Sequence, residues 1–99
     1  PLLTQYDQNF TLLVLTLNTW GKRLDELSHT EEAICVLAFS ASIGSDIKAT
    51  WSLLARLYAE RGDVRQIQAL EVSASKLNSL MKEPILAMLE GYLSQYNIT

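Results

Sequence analysis

A single cysteine, a single histidine, two prolines and four glycines in 99 residues remove several classes of protein at once. Cys35 has no partner for an internal disulfide, so this is not a small secreted fold held by cross-links. One Cys and one His cannot supply the ligand sets that hold structural or catalytic zinc, and no metal or other cofactor is expected. The glycines are scattered rather than gathered into a loop that could cradle phosphate. Scarce Gly and Pro also argue against disorder and against a turn-rich β-sandwich. Basic residues are short as well: 8 Lys and Arg face 11 Asp and Glu, for a net charge of −3. That balance gives no electrostatic footprint for nucleic acid or for direct contact with an anionic membrane. The longest uncharged run, residues 8–21, is too short to cross a bilayer and carries Asn9, Asn18 and several threonines. No basic start or apolar leader precedes it, so a cytoplasmic setting is expected for this segment. Position 1 is Pro rather than Met, which leads us to expect a piece of a longer chain, in which an upstream anchor has room. The N-x-T triplets at Asn9 and Asn97 are expected by chance at this length.

What the chain has in quantity is apolar residues, 48% of the total, spaced as helices space them. Tyr6, Phe10, Leu13, Leu17, Trp20, Leu24 and Leu27 follow in steps of four and three, one continuous stripe along a helix. Thr4 and Asp7 have the spacing of a capping box at its start, giving a first helix of about 23 residues that Ser28 and His29 end. Thr30, followed by Glu31 and Glu32, predicts the cap and acidic first turn of a second helix that runs to Gly44. Ser45 or Asp46 is expected to cap a third, with Trp51, Leu54, Ala55 and Tyr58 as its apolar face and Gly62 as its stop. Asp63 and Gln66 open a fourth, carrying Ile67, Leu70, Ala74, Leu77 and Met81. Pro84 suits the first turn of a fifth, which presents Ile85, Met88, Leu89 and Tyr92 and frays near Asn97. Nothing alternates with period two. The fold class is all-α: five helices with short connections, hence antiparallel neighbours.

A shift of 34 residues brings these helices into register. Leu17 falls on Trp51 and Ile85, Trp20 on Leu54 and Met88, Gly21 on Ala55 and Leu89, and Leu24 on Tyr58 and Tyr92. In the following helix Ala33 falls on Ile67, Ser40 on Ala74 and Ile43 on Leu77. A helix–turn–helix period of this length marks helical repeat arrays. The stretch Trp51-Ser-Leu-Leu54-Ala55-Arg-Leu-Tyr58-Ala-Glu-Arg-Gly62-Asp63 resembles the W-x2-L-[GA]-x2-Y-x3-G-[DN] pattern of the tetratricopeptide repeat family. The resemblance extends over roughly Val14 to Tyr92. Ile67 and Glu71 depart from it, standing where a small and a bulky residue are usual, and Ser45 and Ser79 stand where a proline often closes the repeat.

The resemblance implies antiparallel hairpins stacked as a short right-handed solenoid within a single domain, 1–99. It would comprise an N-terminal extension of the first helix at 1–13, repeats at 14–47 and 48–81, and a capping helix at 82–99. It also implies a groove lined by the first helix of each pair, which in the family receives an extended peptide. Carried over position by position, the groove residues are Asn18, Lys22, Asp25, Ser52, Arg56, Ala59 and Glu60. Lys22 and Arg56, one repeat apart, would sit side by side and could hold a carboxylate of a partner; alternatively, they pair with Glu26 and Glu60 one helical turn on. The full set of side chains with which some members clamp a C-terminal carboxylate is not present, so that ligand is not expected.

Beyond the repeats, the first helix overhangs with Leu3, Tyr6, Phe10 and Leu12, apolar groups that either fold back on the last helix or associate with a second copy or an upstream segment. No enzyme is expected. His29 lies in a turn, Cys35 sits among Ile34, Val36 and Leu37 as a small packing residue, and the carboxylate pairs Asp25–Glu26 and Glu31–Glu32 do not converge. The expected function is a protein–protein interaction module that binds a protein or peptide, with a homodimer or scaffold segment as the alternative.

Overall fold

The computed structural model describes residues 2–95, with side chains from position 10 onward. Over that span there are five α-helices and no strand: α1 (Leu2–Glu26), α2 (Thr30–Ser42), α3 (Lys48–Glu60), α4 (Val64–Ser75) and α5 (Lys82–Ser94). None of the described helices is long and apolar enough to cross a membrane. Asn97 and the side chains of Leu3 and Tyr6 lie outside the described part.

The starts of α2 and α4, Thr30 and Val64, are 34 residues apart, as are those of α3 and α5, Lys48 and Lys82. The turns recur at the same interval. After α1 the amide of His29 donates to the carbonyl of Leu24 (2.8 Å) and that of Ser28 to Asp25 (3.0 Å). After α3 the amide of Asp63 donates to Tyr58 (2.9 Å) and that of Gly62 to Ala59 (3.0 Å). This is the paired bond of a Schellman close, which needs one residue in the left-handed region. Gly62 supplies it with φ 70°, whereas Ser28 is held there at φ 66° with a Cβ to accommodate. Gly44, at φ 89°, makes the same close after α2. Ser45 and Ser79, also one period apart, use their hydroxyls alike: Ser45 Oγ accepts from the amide of Ile47 (3.2 Å) and Ser79 Oγ from that of Met81 (3.1 Å).

Several expected boundaries move. α1 is already helical at Leu2, so Thr4 lies within its first turn and does not open it. His29, not Thr30, occupies the position before α2, and Ile47, not Ser45 or Asp46, the position before α3; neither makes a side-chain cap bond. α4 stops at Ser75, so Leu77 and Met81 belong to the connection that follows it. The apolar period there continues past the last helical residue because Leu77 still packs into the core.

The core is built from the four-three stripes of α2 to α5. Trp51, Leu54, Ala55, Ile67, Ala74, Ile85, Leu89, Ala33 and Leu37 are fully buried in it. The Trp51 indole N–H, out of reach of water, donates to the carbonyl of Ser45 at 2.8 Å, so the largest core side chain also fixes the α2–α3 turn. α1 and α2 approach closely at Gly21: a Cβ there would lie 2.6 Å from Leu37 Cδ2. Each helix touches its neighbours in a ladder. Among the described residues α1 contacts α2 and α3 only, whereas α3 contacts all four others.

The long stripe of α1 does not bury as a unit. Leu17 is buried and Leu24 and Phe10 half-buried, while Leu13, Trp20 and Leu27 are 44%, 55% and 56% exposed. The four-three spacing contains two lines of residues at seven-residue intervals, and only the first has helices packed against it.

Candidate functional site

α1 and α3 run side by side, and two polar bonds join them. Thr50 Oγ1, on a fully buried residue, donates to Asn18 Oδ1 at 2.8 Å. Nearly two turns along, Arg56 Nη2 donates to Asp25 Oδ2 at 2.6 Å. The second is a charge-assisted bond, half exposed on the Arg56 side, and contributes at most about 1 kcal/mol. Together they fix the separation of the two helices.

Between the two bonds lies a cavity of about 460 Å3. Its α1 wall is Asn18, Lys22, Asp25 and Glu26; its α3 wall is Ala49, Ser52, Leu53 and Arg56. Five of the seven groove residues expected from the sequence therefore line one opening. Ala59 and Glu60 do not line it. Joining the five are three residues that sequence reasoning passed over: Glu26, Ala49 and Leu53. The signal was available, since Ala49, Ser52, Leu53 and Arg56 are spaced i, i+3, i+4, i+7 and must share a helix face.

The charges are arranged differently from either expectation. Arg56 pairs neither with a free carboxylate nor with Glu60 on its own helix, but with Asp25 across the groove. An exposed intrahelical pair offers only a few tenths of a kcal/mol, so a carboxylate already anchored on the adjacent helix competes easily. Lys22 makes no ion pair among the described residues, with Glu26 or any other group. The groove thus carries two charges of each sign, with one cation of each wall in a different state: Arg56 neutralised, Lys22 open. Serine, the open lysine and a strip of aliphatic surface are a combination that can hold extended backbone and a single acidic group.

Elsewhere the polar chemistry is sparse. No cluster of three or more His, Cys, Asp or Glu that could hold a metal is present among the described residues. Burial is the main cause that pushes the Tyr58 hydroxyl above its ordinary value of 10.0, with the Asp63 carboxylate and then Cys35 adding to it. Arg61 of the α3 close pairs with Glu31 of α2. Cys35 is exposed, a correction to its expected packing role: it lines an apolar depression of about 400 Å3 between α1 and α2 with Trp20, Leu24, Val36 and the two glutamates Glu31 and Glu32. Of the overhang residues, Phe10 is half-buried and Leu12 is 64% exposed. No family model matches the chain, and no curated protein or solved structure matches it either.

Proposed function

We propose that this chain is a non-catalytic protein-interaction module, a short stack of helical hairpins similar to tetratricopeptide repeats, that receives an extended peptide in the groove between α1 and α3. The observation that carries the reading is the convergence of Lys22, Ser52 and Leu53 on one opening whose walls are held apart by the Asn18–Thr50 and Asp25–Arg56 bonds. The stacked arrangement is supported by the 34-residue recurrence of helix starts, turn bonds and serine contacts, and by a ladder in which α1 never reaches α4 or α5 among the described residues. A pre-formed groove lowers the ordering cost of a peptide ligand. Lys22 selects a partner with one carboxylate, and Ala49 and Leu53 select a small aliphatic side chain beside it.

Selection from a displayed random-peptide library tests this. Peptides enriched on the 99-residue chain carry an acidic residue next to an aliphatic one, and they lose at least tenfold in affinity for Lys22→Glu while its helical circular dichroism is unchanged. Enriched peptides that bind Lys22→Glu and a bulky Ser52→Trp variant as well as the parent would place binding elsewhere.

A further inference from the structure

On the side of α1 away from α3, Leu13, Trp20 and Leu27 form a line at seven-residue intervals, each about half exposed, with Leu12 beside it at 64%. One repeat on, the matching line along and beside α3 is covered at its centre: Leu54 is fully buried and Ile47 half-buried, while Arg61, exposed, is ion-paired to Glu31 of α2. The position of Trp20 is thus a packed one in the second repeat and an open one in the first. The open line of α1 has a symmetry of its own, because the leucines stand seven residues before and seven residues after the tryptophan.

We infer that this face is the interface of a homodimer, in which α1 packs antiparallel on α1 of a second copy about a two-fold axis through Trp20. In that register Leu13 meets the partner's Leu27 and Trp20 meets the partner's Trp20, so the same patch satisfies both copies, as an isologous contact requires. Each indole packs beside the other in the depression of about 430 Å3 that Leu15, Thr16, Thr19, Trp20 and Arg23 line on the other copy. Arg23 makes no ion pair among the described residues, which leaves its guanidinium to stack on the partner's indole face. The area suffices. With roughly 100 Å2 of apolar surface per leucine and roughly 200 Å2 for tryptophan, the exposed parts of Leu12, Leu13, Trp20 and Leu27 come to roughly 270 Å2 per copy. Doubled, that is the apolar share of an interface of about 1,000 Å2, the lower bound for a specific one. The inference is independent of the groove reading, since Lys22, Ser52 and Arg56 lie on the α3 side of α1.

Light scattering on the 99-residue chain over a dilution series tests it. The chain runs at twice its 11.1 kDa when concentrated and dissociates on dilution. Trp20→Glu is monomeric throughout with an unchanged helical spectrum, and Leu80→Glu, at the most exposed leucine, dimerises like the parent. Leu13→Glu weakens the dimer at least tenfold, and adding Leu27→Lys to it restores most of the loss, because each glutamate then faces a lysine of the other copy. The unsubstituted chain provides a separate readout: quencher access to Trp20 falls as concentration rises. A parent chain that stays monomeric, or a dimer that survives Trp20→Glu, overturns the interface. Failure of Leu27→Lys to rescue Leu13→Glu overturns the antiparallel register.

Discussion

Replacing Gly21 by alanine sets two effects of known sign against each other. In a helix interior, alanine is favoured over glycine by about 1 kcal/mol, so an unobstructed Gly21→Ala would stabilise α1. The added Cβ, however, would stand 2.6 Å from Leu37 Cδ2 and 2.7 Å from Leu37 Cγ. Carbon atoms in contact prefer about 3.5–4.0 Å, so the two helices must part by most of an ångström or Leu37 must leave its rotamer. Leu37 is fully buried, and a close-packed interior gives a displaced leucine little room. Overpacking of this kind costs about 1–3 kcal/mol, which outweighs the propensity gain and leaves a net loss of about 1 kcal/mol. The sign is the test. Urea denaturation followed by circular dichroism should show a lower midpoint at unchanged slope. In a Leu37→Ala background the same methyl enters the cavity and should stabilise, a coupling of about 2 kcal/mol between the two sites. A higher midpoint for Gly21→Ala in the parent chain would refute the close approach of α1 and α2.

Ser28 sits at φ 66° where the equivalent turn has Gly62, so Ser28→Gly should raise the unfolding free energy by about 0.5–1 kcal/mol, the strain relieved less the extra entropy of glycine, and Gly62→Ala should lower it. The Ser40 hydroxyl is buried without a hydrogen-bond partner and its counterpart one repeat on is Ala74; Ser40→Ala is expected to gain about 1 kcal/mol in the same denaturation assay. Because burial, then Asp63 and Cys35, hold the folded Tyr58 hydroxyl above its ordinary 10.0, the unfolded chain loses that proton first as pH rises. The Tyr58 contribution is therefore full below pH 10.0 and is lost as pH climbs through the raised folded value, and Tyr58→Phe should flatten this alkaline fall in the thermal midpoint.

Helix number and the 34-residue period were legible because they depend on local spacing and turn residues, while most helix starts came out displaced by a residue or two. What depends on the approach of distant segments was not. The Arg56–Asp25 pair spans 31 residues and exists only because α1 and α3 lie alongside, so the sequence offered the nearer Glu60 with equal right. The α1 stripe read as one face because four-three spacing does not distinguish the line through Leu17 from the line through Trp20. Which is covered depends on where neighbouring helices exist. Cys35 shows the same limit: a run of apolar neighbours marked α2 as buried, yet one flank of that helix faces solvent. At the groove, five of the residues carried over by repeat position arrived together, and Ala59 and Glu60 did not. Glu26, Ala49 and Leu53, found only by face, completed it.

Occupancy of that groove is what distinguishes a peptide-binding stack from a merely structural one. Backbone amide shifts of the isotope-labelled chain, followed while a library-selected peptide is added, test it most directly. Shifts concentrated at Lys22, Ser52, Leu53 and Arg56, and absent from α4, are the predicted result. Shifts confined to α4 or to the Trp20 face, or a library that yields no binding peptide, would contradict it.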